Sequence, residues 1–383
     1  MVKWSRKRFG DGVLKVRHGK SQHEIKTESG IYPILATSGR VGRTNVFLYD
    51  KPSVLIGRKG TIDKPQYMDT PFWTIDTLFY TEINEKHFAK YLYYLFCSID
   101  WGRYNEASGV PSLSAKVIED IETFLPPLTE QRRIAAVLSD TDELIAALEK
   151  LIAKKRNIKQ GTMQELLTGK RRLPGFSGEW VERKLGELFD ITSSKRVFQS
   201  EWRSSGIPFY RARELAMLSE KGSVDNELFI SNEMYEQYTY EYGSIQPDDI
   251  LITGVGTLGK VYVVKNGDKF YFKDGNIIWL KSKGLVNSVF LRQLYFTDEV
   301  ISQVFGTSGG STVGTYTIKN ANETVIPYPT LDEQISIASI LSDMDAEIDA
   351  LTTKLTKLKN IKQGMMSELL TGRIRLSGEE KPS

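Results

Sequence analysis

Apolar residues recur at alternating spacings of four and three along residues 128–169 and again along residues 331–372, and the two stretches align without a gap. In the second stretch Ile337, Leu341, Met344, Ile348, Leu351, Leu355, Leu358, Met365 and Leu369 hold the stripe, broken only at Lys362. In the first, Ile134, Leu138, Ile145, Leu148, Ile152 and Leu166 hold it, with Thr141, Lys155, Lys159 and Thr162 at the remaining positions. A stripe of this spacing is a coiled-coil seam. Pro126, Pro127 and Pro329 precede the two stretches, and Thr129 and Asp332 are N-cap candidates. Glu130 and Glu333 follow in the first turn, where the helix dipole favours acid. Both stretches close on Thr-Gly, with Gly169 and Gly372 free to adopt positive φ. The pattern predicts two helices, each on the order of 60 Å long at about 1.5 Å per residue. Read on to Leu173 and Leu376, more than half of the paired positions are identical, a repeat of long period. The natural partner of each seam is the other copy.

The chain before each helix has a different rhythm. Residues 4–127 are rich in glycine, β-branched and aromatic residues, in short alternating runs between Gly, Pro and Asp turns, which predict strands. From Asn84, helical spacing appears at Phe88, Leu92, Leu95 and Ile99, and 117–127 reads as a final strand feeding the long helix. Residues 170–180 carry Pro and Gly and read as a linker. A second block then opens as the first did: Trp180, Leu185, Gly186 and Glu187 stand in the order and spacing of Trp4, Phe9, Gly10 and Asp11. It contains the strand patterns 248–253 and 260–264 and a helix from Asn287 to Phe305, and the Gly/Ser-rich run 306–317 leads to its end. The expected fold class is α+β: two globular domains, 1–127 and 180–329, and two long helices, 128–170 and 330–372, paired as an antiparallel coiled coil. A linker spans 171–179 and a tail 373–383. Antiparallel return of the second helix would place one globular head at each end of a rod with pseudo-twofold symmetry. A frame repeated with its contents varied predicts two versions of one recognition module.

Composition narrows the chemistry. Forty per cent hydrophobic and 26% charged residues describe an ordinary globular chain. No apolar run approaches the roughly 18 residues of a membrane span, and the N-terminus has no apolar core of a signal peptide. The start lies only three residues before Trp4, so no long N-terminal extension is expected. The single cysteine, Cys97, sits in an apolar run and is expected to be a buried small hydrophobe; with three histidines it makes no zinc site. Residues 254–260, GVGTLGK, satisfy G-x-G-x-x-G and nearly match a P-loop, but Val261 replaces the Ser or Thr and a strand pattern follows where a helix is required. Glu24 and Lys26 form an E-x-K without an acidic partner at suitable spacing. No nucleophile elbow, HExxH or adenine amino-methylation motif is present, so no catalytic activity and no metal or cofactor are expected of this chain.

Net charge is only +3, yet cations cluster beside glycine turns: Arg40, Arg43, Arg58, Lys59 and Arg103 in the first block, and Lys195, Arg196, Arg203, Arg211, Arg213 and Lys260 in the second. Turn glycines let a backbone approach phosphate, and arginine reads guanine bidentately, so these are candidate DNA contacts. Tyr210, Tyr240 and Phe72 are aromatic candidates for packing on bases or thymine methyls, although most of them are expected in the core. The alternatives are a coiled-coil adaptor that reads no DNA and a nucleotide-dependent enzyme using the 254–260 loop.

The segments 126–140 (PPLTEQRRIAAVLSD) and 154–176 (KKRNIKQGTMQELLTGKRRLPGF), with their second copies, resemble the specificity subunit of type I restriction–modification systems, and the resemblance covers the whole chain. It implies two target-recognition domains that each read half of a split double-stranded DNA site, and paired helices that space the halves. It implies no activity of the chain's own. It also implies docking of two methyltransferase subunits, which use S-adenosylmethionine on adenine N6, and of two restriction subunits driven by ATP and magnesium, all in a prokaryotic cytoplasm. The expected docking positions are 159–161 (Lys159, Gln160, Gly161) and 362–364 (Lys362, Gln363, Gly364), identical in both copies; the alternative is helix packing, with Gly161 and Gly364 allowing close approach. Lys155 and Lys159 depart from an apolar seam and predict a looser end.

Overall fold

The computed structural model describes residues 3–225, 227–306 and 314–376. Most of the Gly/Ser-rich run, residues 307–313, and the end of the tail, 377–383, lie outside the described residues. The chain divides into two compact units, Met1–Leu151 with Leu351–Ser383, and Ile152–Ala350. Each contains one half of each long helix and one of the two blocks.

The first unit runs through β1 (Ser5–Arg8), β2 (Leu14–Arg17), β3 (Lys26–Thr27), β4 (Tyr32–Ala36), β5 (Gly39–Thr44), β6 (Ser53–Gly57), β7 (Gln66–Met68), β8 (Trp73–Thr74) and β9 (Leu78–Ile83). Helices α1 (Ala89–Ser98) and α2 (Ala115–Glu119), strand β10 (Glu122–Leu125) and the start of α3 (Leu128–Leu166) follow. One sheet has the order β2-β9-β6-β7, antiparallel throughout. Its central strand β6, SVLIG, is buried at every residue, whereas β2, LKVR, alternates buried and exposed, as sheet position requires. A second sheet, β3-β5-β4-β8, is antiparallel except for the parallel pair β4·β8. β1 pairs with β10 and brings the block's two ends together.

The second unit runs through β11 (Val181–Lys184), α4 (Leu185–Leu188), β12 (Phe189–Thr192), β13 (Ile207–Tyr210), α5 (Ala212–Lys221), β14 (Phe229–Ile230), α6 (Asn232–Tyr242), β15 (Ile250–Thr253), β16 (Val261–Val263), β17 (Tyr271–Phe272) and β18 (Ile277–Ser282). It ends with α7 (Ser288–Leu294), α8 (Asp298–Gly306), α9 (Ile318–Glu323), β19 (Val325–Tyr328) and the start of α10 (Leu331–Leu369). Its main sheet, β12-β18-β15-β16, repeats the order and antiparallel sense of β2-β9-β6-β7. The parallel pair β13·β17 repeats β4·β8, and β11·β19 repeats β1·β10. The repeat seen in the helices therefore extends to the topology of the blocks, where side chains no longer match.

In the first unit Ile134, Ala135 and Leu138 of α3 share one core with Met366, Leu369 and Leu370 of α10 and with α1. In the second, Leu166 and Leu167 share a core with Ile337, Ala338, Leu341 and α7. Ion pairs run in opposite chain directions within each unit: Lys359–Glu149 and Lys362–Asp142 in the first, Lys155–Glu347 and Lys159–Asp345 in the second. The two helices are thus antiparallel in both. Ile134, Leu138, Leu148, Ile152, Leu166, Ile337, Leu341, Ile348 and Leu369 are buried; Ile145, Met344, Leu351, Leu355, Leu358 and Met365 are half-buried. Two helices alone cannot enclose their seam, so full burial comes mainly where a block packs against it.

Several expectations are corrected. Cys97 is exposed on α1 and is not a core residue. The helix expected from Asn84 begins at Ala89, because the Asn84 side chain accepts the Lys86 N–H and makes a turn first. The final strand expected over 117–127 begins as helix α2, capped by the Ser114 hydroxyl on the Val117 N–H, and only 122–125 is strand. The helix expected from 287 to 305 is two, α7 and α8; Thr297-Asp298-Glu299 is a fresh helix start. Of the aromatic candidates, Phe72 lies in the core as most of them were expected to, fully buried among Tyr49 and Tyr80.

Candidate functional site

Each unit is closed by the same latch. The segment after α3 folds back so that Arg172 donates Nε and Nη2 to the two carboxylate oxygens of Glu333, 2.7 Å each. Trp180 Nε1 donates to the same carboxylate at 3.1 Å, and the guanidinium lies 5.5 Å from the Trp180 ring. After α10, Arg375 grips Glu130 through two bonds of 2.7 Å; Trp4 Nε1 donates at 3.3 Å and its ring is 5.5 Å from the guanidinium. Gly169 and Gly372, at φ +69° and +73°, turn the chain beneath those indoles, whose atoms would lie 3.3 and 3.2 Å from any Cβ. Glu333 is 0% and Glu130 6% exposed, so each carboxylate depends on its arginine and tryptophan. The linker and residues 373–376 of the tail are therefore structural parts of the units.

The residue after each glutamate couples helix to block. Gln131 accepts the Phe88 N–H and donates to the Pro126 carbonyl; Gln334 accepts the Asn287 N–H and donates to the Pro329 carbonyl, all at 2.8 to 2.9 Å. Further along, Asp142 takes Lys362 on one oxygen at 2.5 Å and the Tyr94 hydroxyl on the other at 2.8 Å. Asp345 takes Lys159 at 2.5 Å and Gln293 at 3.3 Å. Lys155 likewise finds Glu347. The lysines in the seam are paired across it, and Lys159 and Lys362 are largely covered within those pairs.

Their neighbours do not. Lys154, Asn157, Ile158, Gln160 and Gly161 are exposed, as are the identical Lys357, Asn360, Ile361, Gln363 and Gly364. A Cβ at Gly161 or Gly364 would meet nothing within 4 Å, so neither glycine is kept for close packing within this chain. Ile158 and Ile361 are 45% and 46% exposed. Positions 154, 157, 158 and 161 share one helical face. The isoleucine and asparagine on this face, like the glutamine and glycine, are identical in both copies.

The candidate cations separate into free and committed ones. In the first unit Arg40 is exposed with no hydrogen-bond or ion-pair partner among the described residues, and Arg43 is exposed and donates to the Gly30 carbonyl. Both line a concavity of about 280 Å³ with Lys26, Thr27, Glu28 and Gly42. Lys59 is exposed, Arg58 donates to the Asp76 carbonyl, and Arg103 pairs with Asp100 at 2.9 Å. In the second unit Arg211 is bound through two bonds to buried Glu214, an internal role at the start of α5. Burial pushes the Glu214 carboxyl up, but Arg211 more than offsets this and its pKa falls below the ordinary value. Arg196 pairs with Asp274, Lys260 with Glu220, and Arg203 caps the Ser200 and Trp202 carbonyls. Arg213 is 78% exposed at its side chain. Lys195 lies 5.3 Å from the Tyr242 ring. Tyr210 is half-buried against Phe270, whereas Tyr240 is 92% exposed.

The 254–260 loop is followed by strand β16, the wrong geometry for a phosphate-binding helix N-terminus. Gly254 stands where a Cβ would fall 2.4 Å from the Tyr316 carbonyl oxygen. At the matching end of β6, a Cβ on Gly57 would fall 2.1 Å from the Thr61 oxygen, so both glycines serve tight chain crossings. Among the described residues no group of three or more His, Cys, Asp or Glu is placed to hold a metal, and no helix is long and apolar enough to cross a membrane.

Comparison with known proteins agrees with this two-part frame. The family model described as the type I restriction modification DNA specificity domain matches residues 1–160 and 177–360. The chain is 26% identical to the type I restriction enzyme MjaVIII specificity subunit of Methanocaldococcus jannaschii, over 97% of this chain and 93% of that protein. It is 24% identical to a putative type I restriction enzyme specificity subunit of Haemophilus influenzae, over 85% and 83%. The crystal structure of a type I restriction–modification S subunit from M. genitalium shares the fold, with a TM-score of 0.65 over 96% of both chains at 19% identity.

Proposed function

Because the chain belongs to the type I restriction–modification DNA specificity family, a recognition component and not a catalyst, we propose that it reads a bipartite double-stranded DNA target. Each block reads one half-site, and the antiparallel helices set the separation of the halves. The observation that carries this reading is the pairing of one frame with two dissimilar contents: the same strand order, latch and helix couplings recur, while the free cations and exposed aromatics differ. A protein needing one binding surface twice would keep both alike. A protein reading two sequences keeps the frame and varies the contents.

The exposed faces at 154–161 and 357–364 support docking of two copies of one partner, the adenine methyltransferase subunit, with restriction subunits joining the complex. Residues that two copies retain while facing solvent have no internal packing role to account for them. S-adenosylmethionine, ATP and magnesium belong to those partners in this reading.

Exchanging residues 180–329 for the equivalent block of another specificity subunit tests the proposal. Methylation by the complex should change at one half-site and leave the other half and the spacing intact; change in both halves would contradict it. Binding of the complex to DNA should weaken steeply with salt, because phosphate contacts release counterions. The coiled-coil adaptor would show no such dependence.

A further inference from the structure

The shared frame cannot distinguish one half-site from another, so discrimination must reside where the units differ. The largest difference lies between equivalent strands: residues 37–52 join β4 to β6, and residues 211–249 join β13 to β15. In the first unit this stretch supplies β5, which forms an antiparallel hairpin with β4; β8 pairs with β4 at Ile34 and Leu35, so only the hairpin end from Ala36 to Arg40 lacks a flanking strand. The short strand β3 covers β5 only at Thr44 and Arg43, so the part carrying Arg40 is open on that side. Arg40 has no partner among the described residues, and Val46 and Phe47 are exposed just beyond the ribbon. Phe47 is propped edge-on against Tyr32 with ring centroids 5.4 Å apart.

In the second unit the same stretch supplies α5, β14 and α6. Helix α6 has no fully buried residue, and its inward side rests on a small core through Met234, Tyr235 and Tyr238. Its outer side presents Glu236, Tyr240 and Glu241. Three lysines sit around it, each near an aromatic face: Lys195 5.3 Å from Tyr242, Lys269 5.5 Å from Tyr235 and Lys281 4.2 Å from Trp279. A helix with an acidic and aromatic crest bordered by lysines is a poor surface for phosphate alone. It matches a groove, whose walls are anionic and whose floor offers base donors and thymine methyls.

The major groove admits either a two-stranded ribbon or an α-helix. The geometry points to the β4–β5 hairpin, presented from its open end, in the first unit and helix α6 in the second as the elements that approach it, with Arg40 and Phe47 in one and Tyr240 in the other as specificity-determining contacts. The assignment rests on the DNA-reading function proposed above and adds which element reads each half. Residues 37–52 and 211–249 are then alternative reading cassettes inserted at one point of a common frame.

The test uses the full chain in complex with its methyltransferase subunit. The probe is a duplex pool holding the site the wild-type complex methylates and each single-base change of that site. All three side chains are solvent-exposed, so Arg40→Ala, Phe47→Ala and Tyr240→Ala should leave the fold intact, checked by an unchanged melting temperature. The expected result is a loss of about tenfold or more in discrimination at one or two base pairs. Those positions should lie in one half-site for Arg40→Ala and Phe47→Ala and in the other for Tyr240→Ala. Unchanged discrimination by all three variants would overturn the assignment while leaving the functional reading standing, as would weakening that is uniform across sequences. A wild-type complex with no sequence preference would overturn both.

Discussion

The two units differ in what they hold and agree in how they hold it. In each, a glutamate at the start of one long helix is gripped by an arginine beyond the end of the other and by the indole that opens the block. In each, a glutamine seals the helix start and an aspartate joins both helices to the block. Between the strands of that frame, one unit carries a ribbon and the other two helices. The lesson is a division of labour along the chain. Buried polar groups with fixed partners define the frame, and surface side chains with few partners are free to change without unfolding it.

The comparison is most sharply tested at the latches. Arg172→Ala leaves buried Glu333 without its counter-charge and should lower the melting temperature more than Lys159→Ala or Lys362→Ala does. Hydrogen exchange should speed up in 180–328 and not in 4–125. Arg375→Ala should do the reverse, loosening the first block although it lies at the far end of the sequence. Equal loosening of both blocks by either variant would break the idea of two independently closed units. A smaller effect is expected of Lys159→Ala and Lys362→Ala, which remove half-buried partners of Asp345 and Asp142: about 1 kcal/mol each by denaturant melting.

Ile158→Asp and Ile361→Asp sharpen the comparison from outside. Both are exposed, so stability should change by no more than about 0.5 kcal/mol. Affinity for the methyltransferase subunit, measured by calorimetry, should fall severalfold for each; unchanged affinity would remove these faces from the docking account. The smallest effect concerns pH. The Glu214 carboxyl is held below its ordinary pKa, so its bond to Arg211 stabilises α5 above the ordinary carboxylate range. That stabilisation is lost as pH falls through the lowered value. Protection of the α5 amides should decline on acidification in the wild type and stay level in Glu214→Gln.

The frame was legible in the sequence because its residues recur at a fixed offset. Both helices, their seam, the opening Trp4 and Trp180, and the Thr-Gly ends could be read directly. The latch could not: Arg375 and Glu130 are 245 residues apart, and nothing local marks them as partners. The cations were legible as a class but not individually. Arg211 looks like Arg40 in sequence, and only the buried carboxylate of Glu214 shows that one is committed and the other free. The helix expected from 287 to 305 is interrupted between α7 and α8, where the Thr297 hydroxyl donates back to the Leu294 carbonyl at 2.8 Å, a turn that continuous apolar spacing does not reveal.

The most direct measurement is to co-express the chain with its methyltransferase subunit and map N6-methyladenine across the host genome. The account predicts a split motif, two short defined halves around a fixed run of unspecified bases. A continuous motif would mean that only one unit reads DNA, and would contradict the pairing of one frame with two readers.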